Sequence, residues 1–92
     1  MDTISEIASH IIKEQQSIIG PLSLDQARKV VGLNIDNLND ITIQGDPREV
    51  LTNLVNQYAK LFGQASIEVC KEAFRPYASK LQPAEIPEVL RV

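Results

Sequence analysis

The sequence predicts a mainly α-helical protein: a small four-helix domain with a short β-hairpin or a single strand between helices 2 and 3. Apolar residues recur at three- and four-residue steps in four segments, whereas residues 33–43 alternate apolar with polar. Glycine or proline stands at the segment boundaries. Because 92 residues rarely enclose two cores, we expect one domain over residues 1–82. Residues 83–92 then form a C-terminal tail that is either frayed or docked.

Helix 1 is predicted to begin with a capping box, Thr3 and Glu6, in which each side chain satisfies a free backbone amide. Gly20-Pro21 ends it. Between these signals an isoleucine-rich stripe covers an arc of about 140°, wider than a coiled-coil seam needs. The stripe consists of Ile4, Ile7, Ala8, Ile11, Ile12, Ile18 and Ile19.

Helix 2 is predicted to be short. Ser23 and Gln26 repeat the capping-box spacing, and Gly32 supplies a left-handed position for the helix C-terminus. We expect Val30 and Val31 to face inward.

The segment between helices 2 and 3 has the period of a strand. Apolar residues alternate with polar ones around a turn-forming centre rich in Asp and Asn, residues 36–40. This pattern predicts a hairpin, or one strand over residues 41–43 and a loop. Because two short strands alone are marginal in water, they must lie on the helices or pair with another copy.

Helix 3 is predicted to start with Asp46 as the cap and Pro47 at the first helical position, where no amide is needed. Gly63 ends or bends this helix. Its apolar stripe is Val50, Leu51, Leu54, Val55, Tyr58, Leu61 and Phe62.

Helix 4 is predicted over residues 65–81, with a kink or break near residues 72–76, because Pro76 removes one backbone hydrogen bond and clashes with the preceding turn. The tail carries four apolar residues through which it could dock: Ile86, Val89, Leu90 and Val92.

Charge and cysteine content exclude several classes of protein. The net charge is −3 and the basic residues are scattered, so nucleic acid is not an expected partner. No apolar run approaches the ~18 residues of a membrane span. A single cysteine cannot form an intrachain disulfide, which favours a reducing compartment. We therefore expect a cytoplasmic protein without a membrane partner.

Two residues could in principle carry chemistry. His10 lies on the flank of helix 1 with Glu6 and Glu14 four residues away on either side, an arrangement typical of a surface charge pair. Cys70 lies on the apolar face of helix 4, where a free cysteine usually packs as a small hydrophobe. A Cys70–His10 nucleophile pair would need hydrogen-bond contact and a lowered thiol pKa. We therefore predict no enzyme, no catalytic residue and no cofactor.

Two segments resemble an EF-hand loop and a helix-turn-helix, but each lacks residues that its motif requires. Aligned as an EF-hand loop, residues 36–47 place Leu38 at the third position, Ile41 where glycine belongs and Pro47 where glutamate belongs. Residues 22–41 faintly suggest a helix-turn-helix, but the would-be recognition segment is acidic. We predict neither a metal site nor a DNA-reading helix.

Gln15 lies about 10° from the centre of the isoleucine stripe on the helical wheel. A buried amide without a partner costs on the order of 1–3 kcal/mol. Gln15 could lie at a solvent-exposed rim, could bond within the fold, or could fix the register of a dimer in which two copies of helix 1 pack together. The third alternative predicts an interface of Ile4, Ile7, Ile11, Gln15 and Ile18.

The function expected from these features is that of a non-enzymatic, regulatory or protein-interaction module. It would form a homodimer through helix 1, since small domains often gain missing core by oligomerising. The alternative is a helical domain that binds a hydrophobic small molecule in its core, near Tyr58, Phe62, Phe74 and Tyr77.

Overall fold

The helices and strands occur in the predicted order. A computed structural model describes residues 2–91, and this part of the chain forms a four-helix domain with an antiparallel hairpin between helices 2 and 3, which confirms the predicted fold. The helices are α1 (Thr3–Ile19), α2 (Leu22–Ala27), α3 (Pro47–Phe62) and α4 (Gln64–Phe74). The strands are β1 (Leu33–Asn37) and β2 (Asp40–Ile43). Single-turn or longer 3₁₀ helices follow at Arg75–Lys80, Pro83–Glu85 and Glu88–Leu90.

Helices α1 and α3 are capped by aspartate at their N-termini. Asp46 caps α3 by accepting a hydrogen bond from the amide of Arg48, with Pro47 as the first helical residue, as predicted. The capping box predicted at Thr3 and Glu6 is wrong. Asp2 caps α1 instead, accepting from the amide of Ser5 at 2.8 Å, and Thr3 is already helical. An aspartate one residue earlier satisfies the same free amides.

Helix α2 is shorter than predicted. It ends at Ala27, and Ser23 does not cap it, because the Ser23 hydroxyl donates to the carbonyl of Ile12 in α1 at 2.7 Å. Val30 is buried as predicted, but Val31 is 88% exposed, so its predicted inward position is wrong. The helical period stops before Val31 because the chain there turns toward β1.

The hairpin lies on α1, which is the first of the two arrangements that its size allows. Leu33 pairs with Ile43 and Ile35 with Ile41, and the register shifts by one residue before Asn37. The Ser9 hydroxyl of α1 donates to the carbonyl of Leu38 in the hairpin turn.

Helix α4 breaks where the proline requires it. It ends at Phe74, and the chain continues as the 3₁₀ helix Arg75–Lys80, which contains Pro76. The predicted break near residues 72–76 is confirmed, and the predicted helix end at residue 81 is wrong, because a proline cannot supply the amide that the α-helical pattern needs.

The core is assembled from all four helices and the hairpin. Helix α1 packs mainly on α4, and α3 packs on α4 from the other side, with α2 crossing α1 and α3. The buried apolar residues that fill the centre are Ile7, Ala8, Ile11, Ile12, Ala27, Val30, Leu33, Ile41, Val50, Leu51, Leu54, Val55, Tyr58, Cys70, Ala73, Phe74 and Leu90.

The tail is docked through residue 91. Leu90 and Pro87 are fully buried, and Ile86 and Val89 are partly buried against the core. Arg91 donates to the carbonyl of Pro83 at 2.8 Å, which closes the tail on itself. Val92, the fourth predicted docking residue, lies outside the described residues. Among residues 2–91 no helix is long and apolar enough to cross a membrane.

Gly32 is required by a close approach of the backbone. Its φ is +88°, and a Cβ added there would lie 2.6 Å from the carbonyl oxygen of Gln44 and 3.0 Å from Cγ2 of Val50. Gly45 has nearly the same φ, +93°, but a Cβ there would meet nothing within 4 Å. Substituting each glycine by alanine therefore distinguishes the cost of backbone strain, which both positions share, from the cost of crowding, which only Gly32 has.

We predict that Gly32→Ala lowers the free energy of unfolding by about 2–4 kcal/mol, since strain and crowding both act there. Gly45→Ala should cost only the strain, about 1–2 kcal/mol. Urea unfolding followed by circular dichroism measures both. Equal losses for the two variants would contradict the close approach at Gly32.

Candidate functional site

Gln15 bonds within the fold, which is the second of the three arrangements considered for it. Its side chain is 1% exposed. Its amide nitrogen Nε2 donates to the carbonyl of Ser66 at 3.1 Å and lies 3.4 Å from Sγ of Cys70. The amide thus joins the last turns of α1 to the first turn of α4. It meets a backbone carbonyl that an isoleucine would leave facing an apolar group.

The five residues predicted as a helix 1 interface do not share one environment. Ile7, Ile11 and Gln15 are buried in the chain's own core, and Ile4 is partly buried. Ile18 is 63% exposed. Only Ile18 therefore offers a largely free apolar side chain, and an interface that includes it must lie at the end of α1 and not along its middle.

Further exposed apolar side chains lie in the helix ends that flank the two turns, which join α1 to α2 and α3 to α4. They are Leu22, Leu61 and Phe62, which are 39%, 49% and 40% exposed. We call Ile18, Leu22, Leu61 and Phe62 the end patch. Leu61 and Phe62 were predicted as inward members of the α3 stripe, so their exposure corrects that prediction.

Buried hydrogen bonds bring the two turns to the same end of the molecule. Gln15, three residues before Ile18, bonds Ser66 at the start of α4, which is three residues after Gly63. Tyr58, one helical turn before Phe62, donates its hydroxyl to the carbonyl of Ser23 at 2.9 Å. Ser23 is the neighbour of Leu22. The four end-patch residues therefore lie close to the two hydrogen bonds that join α1 to α4 and α3 to α2.

The end patch is exposed because the helices extend past their neighbours. Gln15 bonds to the first turn of α4 while α1 continues to Ile19, so the last turn of α1 has no length of α4 beside it. Helix α3 likewise continues past Tyr58 to Phe62 before Gly63 ends it. The helical period marks these residues as inward, but the period does not report where a neighbouring helix begins.

The surroundings of the end patch carry little charge. Residues 15–24 and 61–67 contain no Asp, Glu, Lys or Arg, although 23% of the chain is charged. The nearest charged residue on α3 is Lys60, which lies about 200° from Phe62 and about 100° from Leu61 on the helical wheel. The exposed amides of Gln16 and Gln64 border the patch, and the Gln64 amide donates to the carboxylate of Glu68 at 3.0 Å.

His10 lies in an open cleft with charges of both signs. Its Nδ1 is 3.3 Å from the Tyr77 hydroxyl and its Nε2 is 3.3 Å from Oε1 of Glu14, so the surface pair with Glu14 is confirmed. The Tyr77 ring and the imidazole are nearly perpendicular, with their centroids 5.7 Å apart. Glu6, Ser9 and Lys13 complete the cleft. Both distances exceed those of strong hydrogen bonds, so the geometry is that of a weak surface network.

Cys70 is not paired with His10. Its sulfur is fully buried and receives the contact from Gln15, whereas His10 bonds Tyr77 and Glu14. Burial raises the pKa of the Cys70 thiol to about 11, and the hydrogen bond from Gln15 opposes that shift only in part. A nucleophilic cysteine needs the opposite shift. The predicted role as a small core hydrophobe agrees with this position.

The four aromatic residues proposed to surround a ligand are dispersed. Tyr58 is buried and bonded to Ser23, Phe62 belongs to the end patch, and Tyr77 lines the His10 cleft. Phe74 lines a different groove, beneath the tail. Within residues 2–91 no three His, Cys, Asp or Glu side chains form a group that could hold a metal ion.

The chain matches no protein-family model, and neither the curated proteins nor the solved structures contain a significant match to it.

The buried Tyr58 hydroxyl and Cys70 thiol make the stability of the fold depend on pH. Burial raises the pKa of Tyr58 to about 12, against the hydrogen bond with Ser23, which lowers it. As the pH rises past 9.0, the ordinary value for cysteine, the unfolded chain loses the Cys70 proton while the folded chain keeps it. The raised pKa therefore makes the folded state lose stability between pH 9 and pH 11.

We predict that Cys70 alone accounts for about 2 kcal/mol of the stability lost between pH 7 and pH 11, because two pKa units correspond to roughly that free energy. Urea unfolding at both pH values should show a smaller loss for Cys70→Ala than for the parent. Any cavity left by the substitution acts at both pH values and cancels in the comparison. Identical losses for the two proteins would show that the thiol ionises equally in both states.

Proposed function

We propose that this chain is a non-enzymatic protein-interaction module that associates with a second copy of itself through the end patch. The observation that carries the proposal is the exposure of Ile18, Leu22, Leu61 and Phe62, which flank the two turns that join α1 to α2 and α3 to α4. Exposed apolar side chains that are grouped, and not scattered singly, indicate an interaction site.

A second copy fits the charge pattern of the end patch. In a two-fold symmetric interface each surface faces its own kind, so a charged border would repel itself. Residues 15–24 and 61–67 carry no charge. The exposed amide of Gln16 has both donors and acceptors, so the Gln16 amides of two copies can bond one another across a two-fold axis.

The size of the domain adds a reason for association. A 92-residue chain buries a smaller fraction of its surface than a longer one, and here two helix ends remain partly uncovered. Pairing two end patches would cover four apolar side chains on each copy. In this arrangement helix 1 contributes Ile18, and the middle of the helix stays in the core of its own copy.

We also propose that the module works in the cytoplasm. The support is the lone buried Cys70, which suits a reducing compartment.

The dimer is tested by placing a charge in the end patch. We expect the parent to show a reversible monomer–dimer equilibrium in sedimentation equilibrium, and Ile18→Asp to weaken it by about a hundred-fold, since each dimer would bury two carboxylates in apolar surroundings. Leu61→Asp should act in the same direction. Both side chains are exposed in the single chain, so the fold should persist, which circular dichroism checks.

Val31→Asp is the matched control. Val31 is the most exposed large apolar residue described, yet it precedes Gly32, which packs near Val50 at the other end of α3. Val50 and Phe62 are roughly 18 Å apart along the helix. The control should dimerise like the parent. A parent that stays monomeric at high micromolar concentration, or a control that dissociates as readily as Ile18→Asp, would contradict the proposed surface.

A further inference from the structure

A second surface, separate from the end patch, lies where the tail folds back over the end of α4. The groove there has a volume of about 330 Å³ and lies between Phe74, the 3₁₀ helix Arg75–Lys80 and the tail. Its walls are apolar and come from Phe74, Ala78, Pro83, Ile86 and Leu90. We call it the tail groove.

Two arginines line the tail groove together with these apolar residues. They are Arg75 and Arg91, and Arg91 donates from one guanidinium nitrogen to the carbonyl of Pro83, which fixes it beside the groove. Arg75 contacts Glu72 at 2.9 Å, but both side chains are more than half exposed. Such surface pairs contribute little and exchange readily, so Arg75 can turn to another carboxylate. A guanidinium has five donors, so Arg91 has donors beyond the bond to Pro83.

The nearby carboxylates do not cancel this positive charge inside the groove. Glu72 forms the exposed pair with Arg75 just described and does not line the groove. Glu85 accepts a hydrogen bond from the amide of Gln82, and Glu88 lines a separate groove with Arg48. No acidic side chain is among the residues that line the tail groove.

The combination of an apolar trough and two guanidinium groups selects a ligand with an apolar body and one carboxylate. A volume of about 330 Å³ lies at the lower end of the roughly 300–1,000 Å³ of small-molecule sites, which suits a short ligand and not a folded partner. We propose that the tail groove binds a medium-chain fatty acid, with its carboxylate beside Arg75 and Arg91 and its alkyl chain against Ala78, Pro83 and Ile86.

The probe is sodium decanoate, added below its micelle concentration to the full-length ¹⁵N-labelled chain and followed by NMR. We expect saturable shifts confined to residues 74–78 and 83–91. Decanol, which has the same chain and no carboxylate, should bind at least about ten-fold more weakly, because charge-assisted hydrogen bonds to arginine are lost. Hexanoate should bind more weakly than decanoate by about three- to four-fold for each methylene removed from contact.

Two variants separate the charge from the apolar trough. The double variant Arg75→Gln/Arg91→Gln should lose about ten-fold in decanoate affinity and none in decanol affinity. Arg28→Gln/Lys29→Gln removes the same charge from the turn after α2, outside the groove, and should leave decanoate binding unchanged. Ala78→Leu should fill the trough and weaken both ligands.

Absence of saturable shifts overturns the proposal, as does equal binding of decanoate and decanol. Shifts centred on Ile18 and Phe62 would assign the ligand to the end patch and would also overturn it. If Ala78→Leu fails to fold, the shift map of the parent and the two charge variants still decide. Because the end patch is not used, dimerisation of the parent can fail while decanoate binding succeeds, and the reverse.

Discussion

Two buried hydrogen bonds set the positions of the four helices. Gln15 of α1 donates to the carbonyl of Ser66 in α4, and Tyr58 of α3 donates to the carbonyl of Ser23 in α2. Each bond crosses from one helix to another and gives a buried side-chain donor, the Gln15 amide or the Tyr58 hydroxyl, its partner. Since an unsatisfied buried polar group costs about 1–3 kcal/mol, an alignment of the helices that separated these groups would lose that stabilisation. The same bonds bring the two inter-helix turns together and so create the end patch.

The Ser23 hydroxyl extends this constraint to α1. It donates to the carbonyl of Ile12 and lies 3.1 Å from the Tyr58 hydroxyl, so three helices meet at one serine. A small core has few apolar contacts with which to distinguish one packing from another. Directional bonds at Ser23 and Gln15 supply that distinction without adding a charge to the interior.

Much of the fold could be predicted from the sequence because it depends on local signals. The helical period identified all four helices, Asp46-Pro47 fixed the start of α3, and Pro76 fixed the end of α4. The errors in burial have two physical causes. Leu61 and Phe62 continue the apolar period of α3 beyond the helices that cover its middle, whereas Val31 is exposed because α2 has already ended at Ala27. The period shows which side of a helix is apolar, but only the tertiary structure shows how much of that side is buried by neighbouring helices.

Gln15 illustrates the same limit for the candidate site. Its position in the isoleucine stripe was visible in the sequence. Its partner is a backbone carbonyl 51 residues away, and no pattern of side chains in the sequence predicts such a bond. The dimer surface that we propose therefore lies at the end of helix α1 and not along the stripe from which it was first predicted. The tail groove was equally hidden, because Arg75 and Arg91 come together only when Leu90 and Pro87 bury themselves and fold the tail back.

The two proposed surfaces depend on the core to different degrees. The end patch consists of side chains that are already largely exposed, so covering it adds contacts without disturbing the interior. The tail groove shares Phe74 and Leu90 with the core, and both are buried. A ligand that lies against Ala78 and Ile86 above them also stabilises the docked tail, since anything that binds only the folded state shifts the folding equilibrium toward it. Occupancy of the groove is thus linked to tail docking, whereas association through the end patch is linked chiefly to protein concentration.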